Sequence, residues 1–161
     1  MDGKPSMKIR AANTADLNQL VALNREVHDV HVEIEPSLFC SASEEVFKSF
    51  WFSKLKDNDS VVLVAQWRGT VVGYLLLRKR FRQKNDLMQE RKCAFIEQVC
   101  VLENHRGQGV FQQLLVRAKE LAVQSGFSRL ELDVWSNNSD AKNAFLKSGF
   151  MTYNEKMKVD F

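Results

Sequence analysis

A mixed α/β (α+β) domain containing a β-hairpin and one parallel strand pair is the fold class that this 161-residue chain predicts. Three observations carry that expectation. Residues 60–77 read as two apolar strands broken at Arg68-Gly69, a hairpin signal. Residues 94–101 and 129–135 read as strands on either side of an amphipathic helix, a β-α-β unit whose strands run parallel with a right-handed crossover. The turn into that helix, RGQGVF at 106–111, is glycine-rich and lies at the carboxyl end of a strand, where such units hold ligands.

Along the chain, residues 1–6 (MDGKPS) are polar and precede a second methionine, so they read as a disordered leader or cloning remnant, and the domain is expected over 7–161. MKIRAA (7–12) is a first strand. Thr14 is placed to cap a helix with Leu17, Leu20, Val21, Asn24 and Val27 near one face. After an acidic, irregular connection around Pro36, Ser41 and Glu44 stand at capping-box spacing ahead of Val46, Phe47, Phe50, Trp51 and Leu55, which recur at helical intervals. Strands 60–67, 70–77 and 94–101 follow. The helix from about 109 carries Val110, Leu114, Leu115, Ala118, Leu121 and Ala122 as an apolar stripe and stops at Gly126. Strand 129–135 leads to a short helix capped by Asn138 or Ser139 and ended by Gly149. The segment FMTYNEKMKVDF (150–161) alternates enough for a closing strand or pair, giving the order β-α-α-β-β-β-α-β-α-β.

With 45% apolar and 27% charged residues the chain has the composition of a soluble globule, and no apolar run approaches the length of a bilayer span, so a cytoplasmic location is expected. Cys40, Cys93 and Cys100 form an odd, widely spaced set without a CxxC pair, which argues against a disulfide framework or a zinc site. The net charge of +3 is too small to indicate nucleic acid. The basic cluster Arg78, Lys79, Arg80, Arg82 and Lys84 has one neighbouring aromatic and no recognised motif, and reads as a solvated hairpin end.

Glycines at 107 and 109 let main chain approach a ligand, and the unpaired N–H groups at the start of the helix, with its dipole, attract a phosphate or pyrophosphate. Two familiar phosphate loops are excluded, since no Lys-Ser/Thr follows the glycines and Gln112 stands where GxGxxG needs its third glycine. The segment VCVLENHRGQGVFQQLLVRAKELAVQSG instead resembles the coenzyme A signature of GNAT-family N-acetyltransferases, R/Q-x-x-G-x-G/A after a spacer from a valine. Val101, Arg106 and Gly109 match it, and Phe111 replaces the final small residue. NNSDAKNAFLKSGF is similar to the second motif of that family at Asn138, Ala141, Gly149 and Phe150. The resemblance spans Met7 to Phe161, with its specific part in 97–150.

The resemblance implies a central mixed, mostly antiparallel sheet with a splayed parallel pair (strands 94–101 and 129–135) flanked by helices, acetyl-CoA as cosubstrate, no metal, and an amine acceptor. It implies that main chain at Val99, Cys100 and Val101 holds the pantetheine arm, that Arg106, Gly107, Gln108, Gly109, Val110 and Phe111 cradle the pyrophosphate, and that Asn138 and Phe145 flank the arm. It also allows a homodimer through sheet edges. Acyl transfer to an amine of pKa about 10.4 requires a deprotonated nitrogen, hence a general base. Glu97, within the strand AFIEQVCV, and Asp133, five positions before Asn138, are the two candidates. Phe145 occupies the position of the tyrosine that usually protonates the departing thiolate in this family; Tyr153, Tyr74 or water are the substitutes.

Glu26, Asp29, Glu33 and Glu35, with His28 and His31, make an acidic stretch suited to a cationic acceptor, and Phe39, Phe50, Trp51 and Phe52 are candidates for an apolar wall. The expected function is acetyl transfer from acetyl-CoA to a primary amine of a small molecule, peptide or protein, with no nucleic-acid or membrane partner. A non-catalytic acyl-CoA-binding or regulatory module is the alternative.

Overall fold

The computed structural model describes residues 6–161, and the expectation for the leader falls almost wholly outside them. A five-stranded sheet forms the middle layer, with strand order β1-β2-β3-β4-β5. Its strands are β1 (Lys8–Ala11), β2 (Ser60–Trp67), β3 (Thr70–Arg82), β4 (Arg91–Val101) and β5 (Leu130–Leu132). The first four pair antiparallel in succession, and β5 joins β4 in parallel. Two helices, α1 (Leu17–Ile34) and α2 (Glu44–Lys56), cover one face, and α3 (Val110–Gln124) covers the other. The short α4 (Ser139–Lys147) follows β5.

Strand alternation builds both cores. Leu63, Ala65, Leu75, Ala94 and Ile96 meet the α3 stripe of Val110, Leu114, Leu115 and Ala118. Val62, Val64, Tyr74, Leu76 and Cys100, pointing the other way, meet Leu20 and Leu23 of α1 and Phe47 and Trp51 of α2. The β2–β3 turn puts Arg68 (φ 50°) and Gly69 (φ 86°) in succession at positive φ, the backbone that closes a two-residue hairpin.

Several local expectations change. Asn13, not Thr14, opens the first helical segment: its side chain accepts from the Ala15 N–H while Asp16 accepts from the Asn13 N–H, a reciprocal box around a short 3₁₀ turn at Thr14–Asp16. Ser43 rather than Ser41 precedes α2, without a side-chain cap. The last strand of the β-α-β unit is shorter than expected, ending at Leu132. The closing strand is absent: residues 151–161 have no regular secondary structure, are exposed and lie outside the sheet.

Candidate active site

The sheet forks because β4 carries a bulge. On β3, Leu76 faces Gln98 and Leu77 faces Ile96, which leaves Glu97 as the extra residue. Before the bulge the Ala94 N–H donates toward β5, to the Arg129 carbonyl at 3.0 Å. Beyond it the parity is reversed, since the Leu102 N–H donates to the Val72 carbonyl at 2.9 Å on the β3 side. Two-residue alternation therefore turns the N–H groups of Val99 and Val101 toward the side that β5 has left. The β4–β5 pairing ends at Ile96 and Leu132, so the next residues on the two strands, Glu97 and Asp133, stand at the crotch of the fork.

Glu97 is half-buried and ionically paired to two cations, Lys54 Nζ of α2 at 3.4 Å and Arg78 Nε of β3 at 3.3 Å. Asp133 is exposed just past the end of β5. Gln98, beside Glu97, accepts from Tyr74 Oη at 2.9 Å and from Asn24 Nδ2 at 3.1 Å, which ties the bulge to α1. Tyr74 is fully buried, and burial pushes its hydroxyl well above the usual range. Cys100 points into the α1 core, where burial, and then Glu26, raise its thiol to about 12, so only its main chain is available to a ligand.

At the end of β4, Arg106 Nε donates to the Val101 carbonyl at 3.0 Å, which draws the loop across the fork. Gly107 (φ 72°) and Gly109 (φ 79°) take left-handed backbone, and a Cβ at either would meet nothing within 4 Å, so this face of the loop is open. The first donor that α3 satisfies is Gln113, to the Gly109 carbonyl at 3.1 Å. The N–H groups of Val110, Phe111 and Gln112 ahead of it make no such bond, no side chain caps the helix, and its first turn has no acidic residue. Such an end attracts an anion. Phe111 turns away from this surface to pack edge-on against Phe145, with ring centroids 5.4 Å apart, so its bulk does not close the loop.

Asn138 Oδ1 accepts from the Ala141 N–H at 3.3 Å, so one end of its amide is committed to capping α4. Phe145 is buried between Phe111 and Phe150. Neither tyrosine reaches the fork. Tyr74 is sealed in the α1/α2 core, and Tyr153 binds Arg91 and Glu131, on the paired side of the fork. The basic cluster lies on that side too, where Arg82 faces Arg91.

On the α1 side, Trp135 was not singled out by any motif. It meets Phe39 edge-on, with ring centroids 5.7 Å apart. Phe39 in turn stacks on His31 and packs on His28. Burial, then His28, holds the His31 imidazole below its usual pKa, which favours the neutral ring. Of the expected wall, Phe39 alone joins this group: Trp51 is core against Tyr74, Phe50 packs on Trp51, and Phe52 is exposed beside Lys56.

An anion-binding helix end, free strand amides and a carboxylate at a strand fork are the parts an acyl-CoA site needs, and the match to known proteins decides the family. The family model described as "Acetyltransferase (GNAT) family" matches residues 24–150. The chain belongs to the GNAT acetyltransferase family. Among GNAT relatives, a streptothricin acetyltransferase of Escherichia coli is 31% identical over 127 residues, covering 78% of this chain and 68% of that one. The solved structure of a tetramutant of the BH1408 protein from Bacillus halodurans superposes with a TM-score of 0.91 at 24% identity, covering 96% of this chain and 99% of that one. An aminoglycoside N-acetyltransferase, AAC(6')-Iy in complex with CoA, superposes at 0.78 with 16% identity, covering 100% and 98%. The five-stranded sheet with its forked parallel pair is the GNAT fold. Among the described residues, no helix is long and apolar enough to cross a membrane.

Proposed function

We propose that this GNAT protein transfers the acetyl group of acetyl-CoA to a primary amine. The observation that carries the reading is the fork itself: Val99 and Val101 direct free N–H groups into the gap that β5 leaves, and the loop after β4 leads into the bare first turn of α3. In this reading Arg106 through Phe111 hold the pyrophosphate by main chain, Val99, Cys100 and Val101 line the pantetheine arm, and Asn138 and Phe145 flank it. The cosubstrate supplies an activated acetyl group as a thioester; the protein supplies position and proton transfer.

Glu97 takes the proton of the acceptor ammonium, directly or through a water, and Lys54 and Arg78 orient its carboxylate. Asp133 across the fork is the second candidate for that role. The neutral amine then attacks the acetyl carbonyl, the C–S bond breaks, and the second nitrogen proton passes through water to the thiolate. A thiol of pKa about 8.5 leaves without a protein acid. The Phe39–Trp135 contact, with His31 and the acidic face of α1, forms the acceptor side. A cytoplasmic location and a pairing of two copies through a sheet edge belong to the same reading.

The test is release of free coenzyme A thiol when acetyl-CoA meets a panel of aminoglycosides, streptothricin-type antibiotics, polyamines, amino acids and peptide N-termini. Turnover on one class supports the reading, and its failure on all of them overturns it. A second reading, a binding module without turnover, draws on the apolar Phe111–Phe145–Phe150 cluster, which leaves the thiolate without a protein proton donor. Calorimetry with acetyl-CoA beside the thiol assay separates the two, since the module binds and releases no thiol.

A further inference from the structure

Where β3 ends and β4 begins, the ladder gathers arginines on one face of the sheet. Across it Arg80 faces Cys93 and Arg82 faces Arg91. Ala94 and Ile96 enter the α3 core, so strand alternation turns Arg91 and Cys93 to the opposite face, and directly opposed residues share a face, so Arg80 and Arg82 turn with them. A cavity of about 480 Å³ opens there, lined by these four residues and by Glu131 and Tyr153 among others. It sits at the start of β4, whereas the glycine turn into α3 follows the strand's other end.

The charges around this cavity do not balance. Three guanidiniums stand against one carboxylate, Glu131, and that carboxylate is already engaged by Arg91, by Arg129 Nη1 at 3.5 Å and by the Tyr153 hydroxyl at 3.2 Å. Arg80 lies over the Phe95 ring, which uses the face of its guanidinium and leaves the in-plane N–H groups available. Among the described residues, neither Arg80 nor Arg82 has a carboxylate partner. Burial, then Glu131, pushes the Cys93 thiol up, so the floor of the cavity adds no negative charge. Arg82 directly opposite Arg91 is itself unfavourable, since like charges facing each other across a ladder repel, and an anion between them turns that repulsion into attraction.

We infer that this cavity is a binding site for a small organic phosphate, its oxyanion held by Arg80, Arg82 and Arg91. Phosphate is the fitting chemistry because several guanidiniums converge and each presents the planar fork that matches its oxygens. The carrier is an organic molecule because the volume falls in the range of small-molecule pockets and exceeds what one inorganic ion fills. The phosphate has two possible carriers, the amine acceptor or a separate effector. The acceptor is a natural source, because Arg78, two residues before Arg80 on β3, pairs with Glu97.

The test follows the arginine Nε–Hε signals of the isotope-labelled full chain by nuclear magnetic resonance as inorganic phosphate is added at constant ionic strength. The signals of Arg80, Arg82 and Arg91 should shift together and saturate, and chloride should not reproduce this. Arg82→Glu should raise the phosphate dissociation constant by about 10-fold or more. Arg117→Glu, the same charge change on the exposed surface of α3, should alter it less than about twofold. Both arginines are exposed, and unchanged circular dichroism confirms the fold of each variant. Shifts confined to the amides of residues 110–112, no saturation at the three arginines, or equal losses in the two variants would each overturn the inference. A second arm identifies the carrier and rests on the acetyl transfer proposed above: with acetyl-CoA saturating, phosphate should raise the acceptor KM if the acceptor carries the anion, and leave it unchanged if a separate effector does. The resonance arm needs no turnover, so its failure is distinct from a failure of the acetyl-transfer reading.

Discussion

The Lys54 ammonium of α2 lies 3.4 Å from the Glu97 carboxylate of β4, so the helix is fastened by charge to the one bulge in the strand that forks the sheet. The Lys54 side chain is mostly buried, and Arg78 approaches the same carboxylate oxygen from β3. Two cations on one carboxylate oxygen fix the direction in which Glu97 points beside the strand gap.

Replacing Glu97 by Gln should lower turnover by roughly 10²-fold or more and leave the acetyl-CoA dissociation constant unchanged. Lys54→Met should lower turnover less, because Arg78 remains. In the double variant the two losses should be far from additive, as expected for residues acting as one unit. Steady-state thiol release with calorimetry on all three variants checks this, and full additivity would separate Lys54 from the function of Glu97.

Two glycines should respond to alanine for different reasons. At Gly109 the added Cβ meets open space but the φ of 79° is left-handed, so the cost is backbone strain of about 1–2 kcal/mol at the mouth of α3, read as weaker acetyl-CoA binding. At Gly73 the new Cβ would lie 2.8 Å from the Cys100 carbonyl oxygen, inside the sheet, so the cost is overpacking of about 1–3 kcal/mol, read as a lower Tm. Thermal melts with and without acetyl-CoA distinguish the two.

Neither tyrosine near the sheet should prove to be the acid. Tyr74→Phe removes one donor to Gln98 and should cost about 1 kcal/mol of stability. Tyr153→Phe removes an exposed hydroxyl beside Arg91 and Glu131. Turnover should change less than about threefold in each, whereas loss of a true general acid costs about 10²-fold. Saturating kinetics with one good acceptor decides it.

Asp16 gives the fold part of its acid sensitivity. The Arg10 guanidinium binds both carboxylate oxygens at 2.8 Å, and this hydrogen bonding, with the Asn13 N–H, holds Asp16 below its ordinary 3.8 against the upward pull of burial. A depressed folded pKa means that the unfolded chain takes up the proton first as pH falls. This stabilisation is complete above about pH 4 and disappears as pH drops through the folded value. Asp16→Asn should cost about 2 kcal/mol at pH 7 and flatten the decline in urea midpoint below pH 4; an unchanged decline would remove Asp16 from the account.

The glycine turn before α3, the β2–β3 hairpin and the strand-helix-strand order are all legible in the sequence because each is a local pattern: glycine positions, alternation and helical spacing. The bulge at Glu97 is not, since the run AFIEQVCV reads as one uninterrupted strand and only the register with β3 reveals the extra residue. Lys54 is far from Glu97 in the chain, and Trp135 carries no motif, so their contacts depend on how α2 and the β5 exit come to rest. Thr14 and Ser41 were plausible caps by residue type, but the box closed at Asn13 and Asp16, where Arg10 could also reach. The alternation over 150–161 reads as a closing strand, but residues 151–161 pair with no strand among the described residues.

By itself the sequence determined the order of the four helices and five sheet strands and what main chain the α3 turn lays bare, because backbone conformation and periodicity are short-range properties of glycines and apolar spacing. Tertiary structure alone decided which way the amides of Val99 and Val101 point, which cations face Glu97, and that neither Tyr74 nor Tyr153 reaches the fork. Those are matters of register and packing between segments distant along the chain, and a one-residue bulge is enough to reverse them.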